Sequence, residues 1–212
     1  MKPIFITGIG TDVGKTLVSA IVTEALQADY WKPIQAGFDQ GTDANDVRSM
    51  LSNTKSSIAS EVYMLRMPAS PHIAAREEKM TIQKERILAA YRQLPDENDY
   101  LVIEGAGGLL VPLGDDYFVA DLIRDLEARV VIVSRNYLGS INHSLLTAKV
   151  LKDMGADVAG WIFNDQYLKY EEEIVQWSGF PRIGSIPRAD LPDRSFVQEQ
   201  ARRIAPALKQ ML

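Results

Sequence analysis

The sequence has no cysteine, and this absence removes several kinds of chemistry at once. Disulfides, zinc–thiolate sites, iron–sulfur clusters and cysteine nucleophiles are excluded. Excess positive charge is also lacking, because 28 acidic residues outnumber 23 basic ones and the formal net charge is −5. Nonspecific nucleic-acid binding needs clustered cations, so we expect no nucleic-acid partner. Small anionic ligands are a separate matter, since local cations control their binding.

Long hydrophobic runs are missing as well. No apolar run approaches the roughly 20 residues that a membrane-spanning helix needs. The N-terminal apolar run is too short for a signal peptide and leads directly into a glycine-rich loop. We therefore expect a cytoplasmic protein with no membrane partner. With 212 residues, 46% of them hydrophobic, the chain can bury a substantial core, and we predict a single domain over 1–212.

The clearest motif lies near the N-terminus. A short apolar run is followed by a glycine-rich loop, by Gly14, Lys15 and Thr16, and by helical apolar spacing over 17–26. This order of strand, loop and helix is typical of a phosphate-binding P-loop. Backbone N–H groups and the helix N-terminus surround an anion there, and the lysine contacts the terminal phosphates. The threonine hydroxyl is a ligand that suits Mg²⁺.

The spacing of this motif is unusual, because five residues rather than the common four separate Gly8 from Gly14. The alternative is an ordinary glycine-rich turn between a strand and a helix. The surrounding strand–loop–helix pattern favours a longer loop around the same anion.

Apolar strands alternate with amphipathic helices along the rest of the chain. This alternation predicts an α/β fold of the P-loop NTPase type, with a doubly wound, mainly parallel sheet flanked by helices. The predicted strands after the P-loop are 30–34, 99–104, 129–134, 157–164 and 182–187. The predicted helices are 17–28, 45–51, 81–94, 118–126, 144–154, 167–177 and 196–211. We interpret 67–74, which contains two prolines, as a turn or loop rather than a helix interior.

Ligands of such sheets collect beyond the carboxyl ends of the strands. Lys32, Glu104 and Asn164 each lie at a predicted strand end, so we expect them on one edge with the P-loop. Glu104 closes an apolar strand before a glycine-rich stretch, and with Thr16 and Asp46 it would form an oxygen set suited to Mg²⁺. Simpler roles remain open: Glu104 capping a neighbouring loop, Asp46 capping a helix, and Lys32 as a solvated lysine.

Several motifs in a fixed order resemble the ATP-dependent dethiobiotin synthetases over nearly the whole chain. They are GIGTDVGKT at 8–16, KPIQAG at 32–37, SPH at 70–72, EGAGG at 104–108, GSINH at 139–143, WIFND at 161–165 and GSIP at 184–187. The resemblance implies a homodimeric, Mg²⁺- and ATP-dependent ligase of biotin synthesis. Its substrates would be 7,8-diaminononanoate, CO₂ and ATP, and its products dethiobiotin, ADP and phosphate.

The resemblance also implies roles for particular residues. Catalytic residues would be Lys15, Lys32 and Thr11. Nucleotide would contact Gly10, Thr11, Asp12, Val13, Gly14, Lys15, Thr16, Asn164 and Pro187. The amine substrate would contact Lys32, Gln35, Ala36, Gly139, Ser140, Ile141 and Asn142, the last four across the dimer interface. The chain departs from the family at Ala36, where a serine or threonine is usual, and at the start of the P-loop, which reads GIGT at 8–11 where the family often has GTDT with an aspartate at its third position. We expect His72 and His143 to be structural, because no base is evident in this chemistry.

Three alternative functions would differ from this one in sequence motif or in activity. A partition or septum-placement ATPase carries a second lysine early in its P-loop, where this chain has residues 9 and 10, Ile and Gly. An amidoligase of the cobyrinate type needs a cysteine nucleophile, which is absent. A nucleotide-binding regulatory subunit would release no phosphate in response to diaminononanoate.

Overall fold

The structure is a computed structural model, and it describes residues 1–39, 41–165 and 168–212. The strands of this part of the chain are β1 Lys2–Gly8, β2 Asp29–Trp31, β3 Ile34–Ala36, β4 Ile58–Ala59, β5 Tyr63–Leu65, β6 Tyr100–Gly108, β7 Arg129–Arg135, β8 Val158–Asn164 and β9 Arg182–Ile186. Its helices are α1 Lys15–Leu26, α2 Asp43–Met50, α3 Pro71–Glu77, α4 Lys84–Arg92, α5 Val119–Asp125, α6 Ser140–Asp153, α7 Glu171–Ser178 and α8 Arg194–Met211.

The main sheet has the strand order β4-β2-β6-β1-β7-β8-β9, and each neighbouring pair is parallel. A parallel sheet is covered on both faces, so its central strands are continuously apolar. Ile4, Phe5 and Ile6 of β1 are accordingly buried, as are the middle residues of β6, β7 and β8. The predicted doubly wound, mainly parallel sheet is confirmed. Strand β1 lies between β6 and β7, which brings the loop after it to the centre of the sheet edge.

The strand predicted over 30–34 is wrong in one respect, because the structure divides it between two sheets. Strand β2 pairs with β6 and β4, whereas β3 pairs with β5 in a separate two-stranded sheet. Pro33 lies between them and has no N–H to donate to a ladder. Its carbonyl instead accepts from the backbone N–H groups of Val62 and Tyr63, at 2.9 and 3.0 Å. Lys32 therefore lies where the chain leaves the main sheet.

Strand β6 is longer than predicted, and Glu104 lies within it rather than at its end. The glycine-rich residues after Glu104 continue the strand, with a register shift that pairs Gly8 with Gly108. Gly105 permits close packing on β1, since a Cβ there would lie 2.7 Å from the Phe5 ring. Gly105 thus serves a tight contact between neighbouring strands.

Part of the segment predicted as a turn is helical, because α3 begins at Pro71. Proline is well tolerated in the first turn of a helix, where its missing N–H has no intrahelical partner anyway. The other helix predictions are correct in kind but differ at their ends. Tyr167, where we predicted α7 to begin, lies outside the described residues.

Every helix in residues 1–39, 41–165 and 168–212 is too short or too polar to be a candidate membrane span.

Candidate active site

The P-loop joins β1 to α1, and its shape leaves the N-terminus of α1 open. Gly14 occupies the N-cap position with φ of 90°, and no side chain caps the helix. Only glycine adopts that backbone conformation without strain. The ammonium of Lys15 folds back over the loop and donates to the Gly10 carbonyl at 2.8 Å. The first N–H groups of α1 and one buried cation thus face the same space, which is the arrangement of an anion site.

Beside the P-loop, Lys32 lies between two carboxylates. Its Nζ is 2.9 Å from Oε1 of Glu104 and 2.6 Å from Oδ2 of Asp43. Glu104 is 1% exposed and Lys32 is 6% exposed, so this is a buried ionic cluster and not a solvated strand end. The predicted proximity of Lys32, Glu104 and the P-loop is therefore observed. Because even a paired buried salt bridge often adds little net stability, the cluster indicates a function rather than a gain in stability.

Thr16 connects this cluster to the P-loop through a hydroxyl shared by two acids. Its Oγ1 lies 2.5 Å from Oδ1 of Asp43 and 3.1 Å from Oε1 of Glu104. A hydroxyl has one proton and donates to one acceptor at a time. The carboxylate oxygens of Asp43 and Glu104 can therefore accept more hydrogen bonds than Thr16 and Lys32 donate. A further cation could bind to these oxygens.

The charges at the site shift several pKa values. Burial lowers the pKa of Lys15 to about 8, with the carboxylate of Glu104 opposing the shift. Burial alone would also lower the pKa of Lys32, but Glu104 and Asp43 outweigh it and raise that pKa. Burial opposes ionisation of Asp43, yet the neighbouring Lys32 ammonium holds the pKa of Asp43 below its usual value. Lys32 and Asp43 are thus kept as an ion pair.

The acid in contact with Thr16 and Lys32 is Asp43, whereas the sequence pointed to Asp46. Helix α2 begins at Asp43, with the Thr42 hydroxyl as its N-cap accepting from the Asn45 N–H at 3.2 Å. Our prediction began this helix two residues later. Asp46 is exposed on the next turn, and its pKa is raised by burial and by the charges of Asp43 and Glu104. Asp46 is thus near the cluster without contacting Thr16 or Lys32.

This correction gives a paired prediction. Asp43→Asn is expected to lower the apparent affinity of the site for a divalent ion by about 10- to 100-fold, since it would remove a charged carboxylate from beside Thr16. Asp46→Asn, the matched control on the same helix, should change it by less than about twofold, as surface charges contribute little. Phosphate release measured against Mg²⁺ concentration separates the two. Equal effects of both substitutions would contradict the assignment of Asp43.

A cleft of about 890 Å³ extends from this cluster. The side chains lining it include all three parts of the ionic cluster, the P-loop and one end of α3; they are Thr11, Asp12, Gly14, Lys15, Thr16, Lys32, Ala36, Asp43, Pro68, Ala69, Ser70, Pro71, Glu104, Ala106, Gly107 and Val111. Ala36 contributes a methyl group to this wall. The Gln35 side chain connects the residues after β3 to the start of α2. It donates to the Gly37 carbonyl at 2.8 Å and accepts from the Asp43 N–H at 3.3 Å.

A second cleft of about 260 Å³ lies on the other side of the P-loop, beside the end of β8. Asn164 lines it and donates its amide N–H to the Val13 carbonyl at 3.1 Å. A Cβ on Gly14 would fall 1.9 Å from the same amide nitrogen. Arg135 and Arg188 also line this cleft, and sequence reasoning missed both. The predicted nucleotide residues 10–16 and Asn164 are therefore contiguous, and Pro187 immediately precedes Arg188.

The residues predicted to hold substrate across a dimer, 139–142, lie away from the main cleft of their own chain. Gly139 is the N-cap of α6 with φ of 103°, and the Ser140 hydroxyl is 2.7 Å from the Tyr170 hydroxyl. Asn142 is exposed and Ile141 is half-buried. Their contact with substrate across a dimer stays a prediction.

Neither histidine lines the main cleft. His72 Nδ1 lies 3.1 Å from the Ser70 hydroxyl, and His143 Nδ1 lies 2.7 Å from the Tyr137 hydroxyl. Both contacts are local ones near the start of a helix, as structural histidines would make.

Known proteins resemble this chain along most of its length. A family model described as an AAA domain matches residues 2–194. A protein of Cytophaga hutchinsonii named ATP-dependent dethiobiotin synthetase BioD is 54% identical over 82% of each chain, and one of Christiangramia forsetii with the same name is 44% identical over 98% of each.

Solved structures show the fold. The Pyrococcus furiosus cell division ATPase MinD has a TM-score of 0.59 at 14% identity, with 100% of both chains covered. A plasmid partition protein of Borrelia burgdorferi bound to AMPPNP has a TM-score of 0.62 at 12% identity, covering 100% of this chain and 99% of that one. At such low identity these structures establish only the architecture, whereas the sequence relatives establish the family. This chain belongs to the ATP-dependent dethiobiotin synthetases.

Proposed function

We propose that this chain converts 7,8-diaminononanoate, CO₂ and ATP into dethiobiotin, ADP and phosphate, as a ligase of biotin synthesis. The observation that carries the proposal is the buried cluster in which Lys32 joins Glu104 and Asp43 beside the P-loop lysine. A carbamate and a triphosphate are both anionic, and cations must hold them together before they react.

The proposed reaction has three steps. An amine of the substrate attacks CO₂ and loses a proton, giving a carbamate. A carbamate oxygen attacks the γ-phosphorus of ATP, and ADP leaves. The second amine then attacks the carbonyl carbon, loses a proton and expels phosphate, which closes the cyclic urea.

The two lysines have different parts in this scheme. Lys15 and the N–H groups of residues 10–16 hold the β- and γ-phosphates at the start of α1. Lys32 approaches from β2 and neutralises the carbamate and the transferred phosphoryl group. Both side chains line the same cleft. ATP would therefore bind beside Lys15, and the carbamate would bind beside Lys32. Thr11 lines the cleft as well, and we assign it a contact with the phosphates.

We propose that Mg²⁺ is held by Thr16, Asp43 and Glu104. In the described part of the chain, no three His, Cys, Asp or Glu side chains are grouped so that they alone hold a metal. Mg²⁺ needs only one or two carboxylates, because waters and substrate phosphates complete its shell. The excess acceptor capacity around Thr16 fits such an ion, which would neutralise phosphate charge during transfer.

The adenine site, the homodimer and the cellular location complete the proposal. We assign the adenine to the cleft lined by Asn164 beside Pro187. We also propose a homodimer of single-domain chains, 1–212, in which residues 139–142 of one chain approach the substrate of its partner through the N-terminus of α6. Gln35 and Ala36 would border the carbamate. We also propose that the protein is cytoplasmic.

The deciding experiment measures phosphate release by the purified protein with ATP, Mg²⁺ and bicarbonate, with and without 7,8-diaminononanoate. We expect release to require the diamine, and dethiobiotin to form in equal amount. A partition-type ATPase would release phosphate without the diamine, and a regulatory subunit would release none with it. Either result would contradict the proposed function.

The homodimer is tested separately by sedimentation. We expect the 23.6 kDa chain to sediment as a dimer. A monomer that retains full diamine-dependent activity would remove the proposed role of 139–142 across an interface.

A further inference from the structure

We propose that Tyr30 is a positioning residue for the metal site, and that its hydroxyl holds one oxygen of Glu104 so that the other faces the cation. This inference rests on the proposed Mg²⁺ site. No motif in the sequence pointed to Tyr30.

The contact is a buried one. Tyr30 is completely buried, and its hydroxyl donates to Oε2 of Glu104 at 3.0 Å. Tyr30 stands on β2 opposite Val102 of β6, and its neighbour Trp31 is paired with Ile103. The pairing of two parallel strands therefore fixes where the phenol sits relative to Glu104, which follows Ile103 in β6.

The two oxygens of Glu104 have separate partners. Oε1 faces the Nζ of Lys32 at 2.9 Å and the hydroxyl of Thr16 at 3.1 Å. Oε2 faces Tyr30 on the interior side. An ion bound beside Thr16 would change the surroundings of Oε1 but leave the phenol contact in place. Tyr30 thus serves as a fixed anchor, while Lys32 and the metal are the partners that change.

Packing alone does not require this hydroxyl. A phenylalanine would fill the same space, and a buried hydroxyl is costly without a partner. A buried carboxylate oxygen is costlier still when unpaired, so losing the phenol would leave Oε2 to seek another donor. The Glu104 side chain would then turn away from the position that serves Thr16. Partners that orient a metal ligand in this way typically change metal affinity by about 10- to 100-fold when removed.

The test is Tyr30→Phe, with Mn²⁺ as the probe and ADP present. Electron paramagnetic resonance measures free Mn²⁺ during titration of the full-length protein. We expect the dissociation constant for Mn²⁺ to rise about tenfold or more, while ADP affinity in EDTA stays at the wild-type value. The rate at saturating Mn²⁺ should recover most of the wild-type rate, which separates positioning from chemistry.

Tyr63→Phe is the matched control. Tyr63 is also buried, at 2% exposure, and its hydroxyl accepts from the Gln83 N–H at 2.9 Å. This variant also loses one buried hydrogen bond, but we expect its Mn²⁺ affinity to match that of the wild type. A comparable weakening of Mn²⁺ binding in both variants would mean that lost stability explains the effect, and would overturn the proposal.

A double variant tests whether Tyr30 acts through Glu104. In a Glu104→Gln background, Tyr30→Phe should cause little further loss of Mn²⁺ affinity, because the two side chains act as one unit. Fully additive losses would overturn the proposal, as would wild-type Mn²⁺ affinity in Tyr30→Phe. A Tyr30→Phe protein that stays unfolded even with Mn²⁺ and ADP would assign the hydroxyl to stability alone. Failure of the wild type to bind Mn²⁺ would instead refute the metal site itself.

Discussion

Replacing Lys15 with glutamine is expected to reduce diamine-dependent phosphate release by at least about a thousandfold, the scale seen when a charge-stabilising group is removed from an active site. Lys15 is 8% exposed and folded over the P-loop, so its ammonium already lies where we propose that the phosphates bind. Glutamine retains much of the length and removes the charge. Phosphate release at saturating ATP, diamine and bicarbonate measures the effect.

The control for this substitution is Lys149→Gln. Lys149 is exposed and pairs with Asp153 one turn along α6, a contact of small energetic weight. We expect wild-type release from this variant. Near-wild-type release from Lys15→Gln would show that the phosphates bind elsewhere, and the P-loop assignment would be wrong.

Lys32→Gln is expected to have an effect of similar size on phosphate release, about a thousandfold, and a second effect on stability. Lys32 lies 2.9 Å from the Glu104 carboxylate and 2.6 Å from that of Asp43, so removing its charge leaves two acids facing each other. Breaking a buried ion pair from one side costs about 3–5 kcal/mol. We therefore expect a clear fall in melting temperature in EDTA.

The effect of Mg²⁺ on the melting temperature provides a second test of Lys32→Gln. A divalent cation would replace the lost ammonium between the two acids, so we expect Mg²⁺ to raise the melting temperature of this variant more than that of the wild type. ADP affinity should change less than in Lys15→Gln, because we propose that Lys32 contacts the carbamate rather than the nucleotide. Wild-type turnover with saturating diamine and bicarbonate would contradict the role of Lys32.

The fold was predictable because its determining signal is local. Buried parallel strands appear in sequence as short apolar runs between amphipathic helices, and their order fixes the class. Strand order is a different matter. The contact between Lys32 and Glu104 depends on β2 pairing with β6, two strands separated by most of the first half of the chain. The rule that ligands collect at carboxyl ends predicted the edge but not the contact.

The acid on α2 shows why the site was only partly predictable. Asp43 and Asp46 are both acids near a helix start, and only the position of the first turn decides which one faces the P-loop. Thr42, a favoured N-cap residue, was the available signal for the earlier start. Tyr30 carried no signal at all, since an aromatic residue in an apolar strand is ordinary core composition. Its importance depends entirely on what stands opposite it in three dimensions.

The absent side chain at position 14 has a consequence for nucleotide choice. The space that a methyl group would occupy there is already filled by the Asn164 amide, only 1.9 Å away. Under the proposed assignment of Asn164 to the base and of the loop to the phosphates, the two binding functions therefore compete for one small volume. A descendant enzyme could not place a larger residue at position 14 without first shortening the side chain at position 164. A change of residue in the P-loop and a change of base preference would therefore have to occur together.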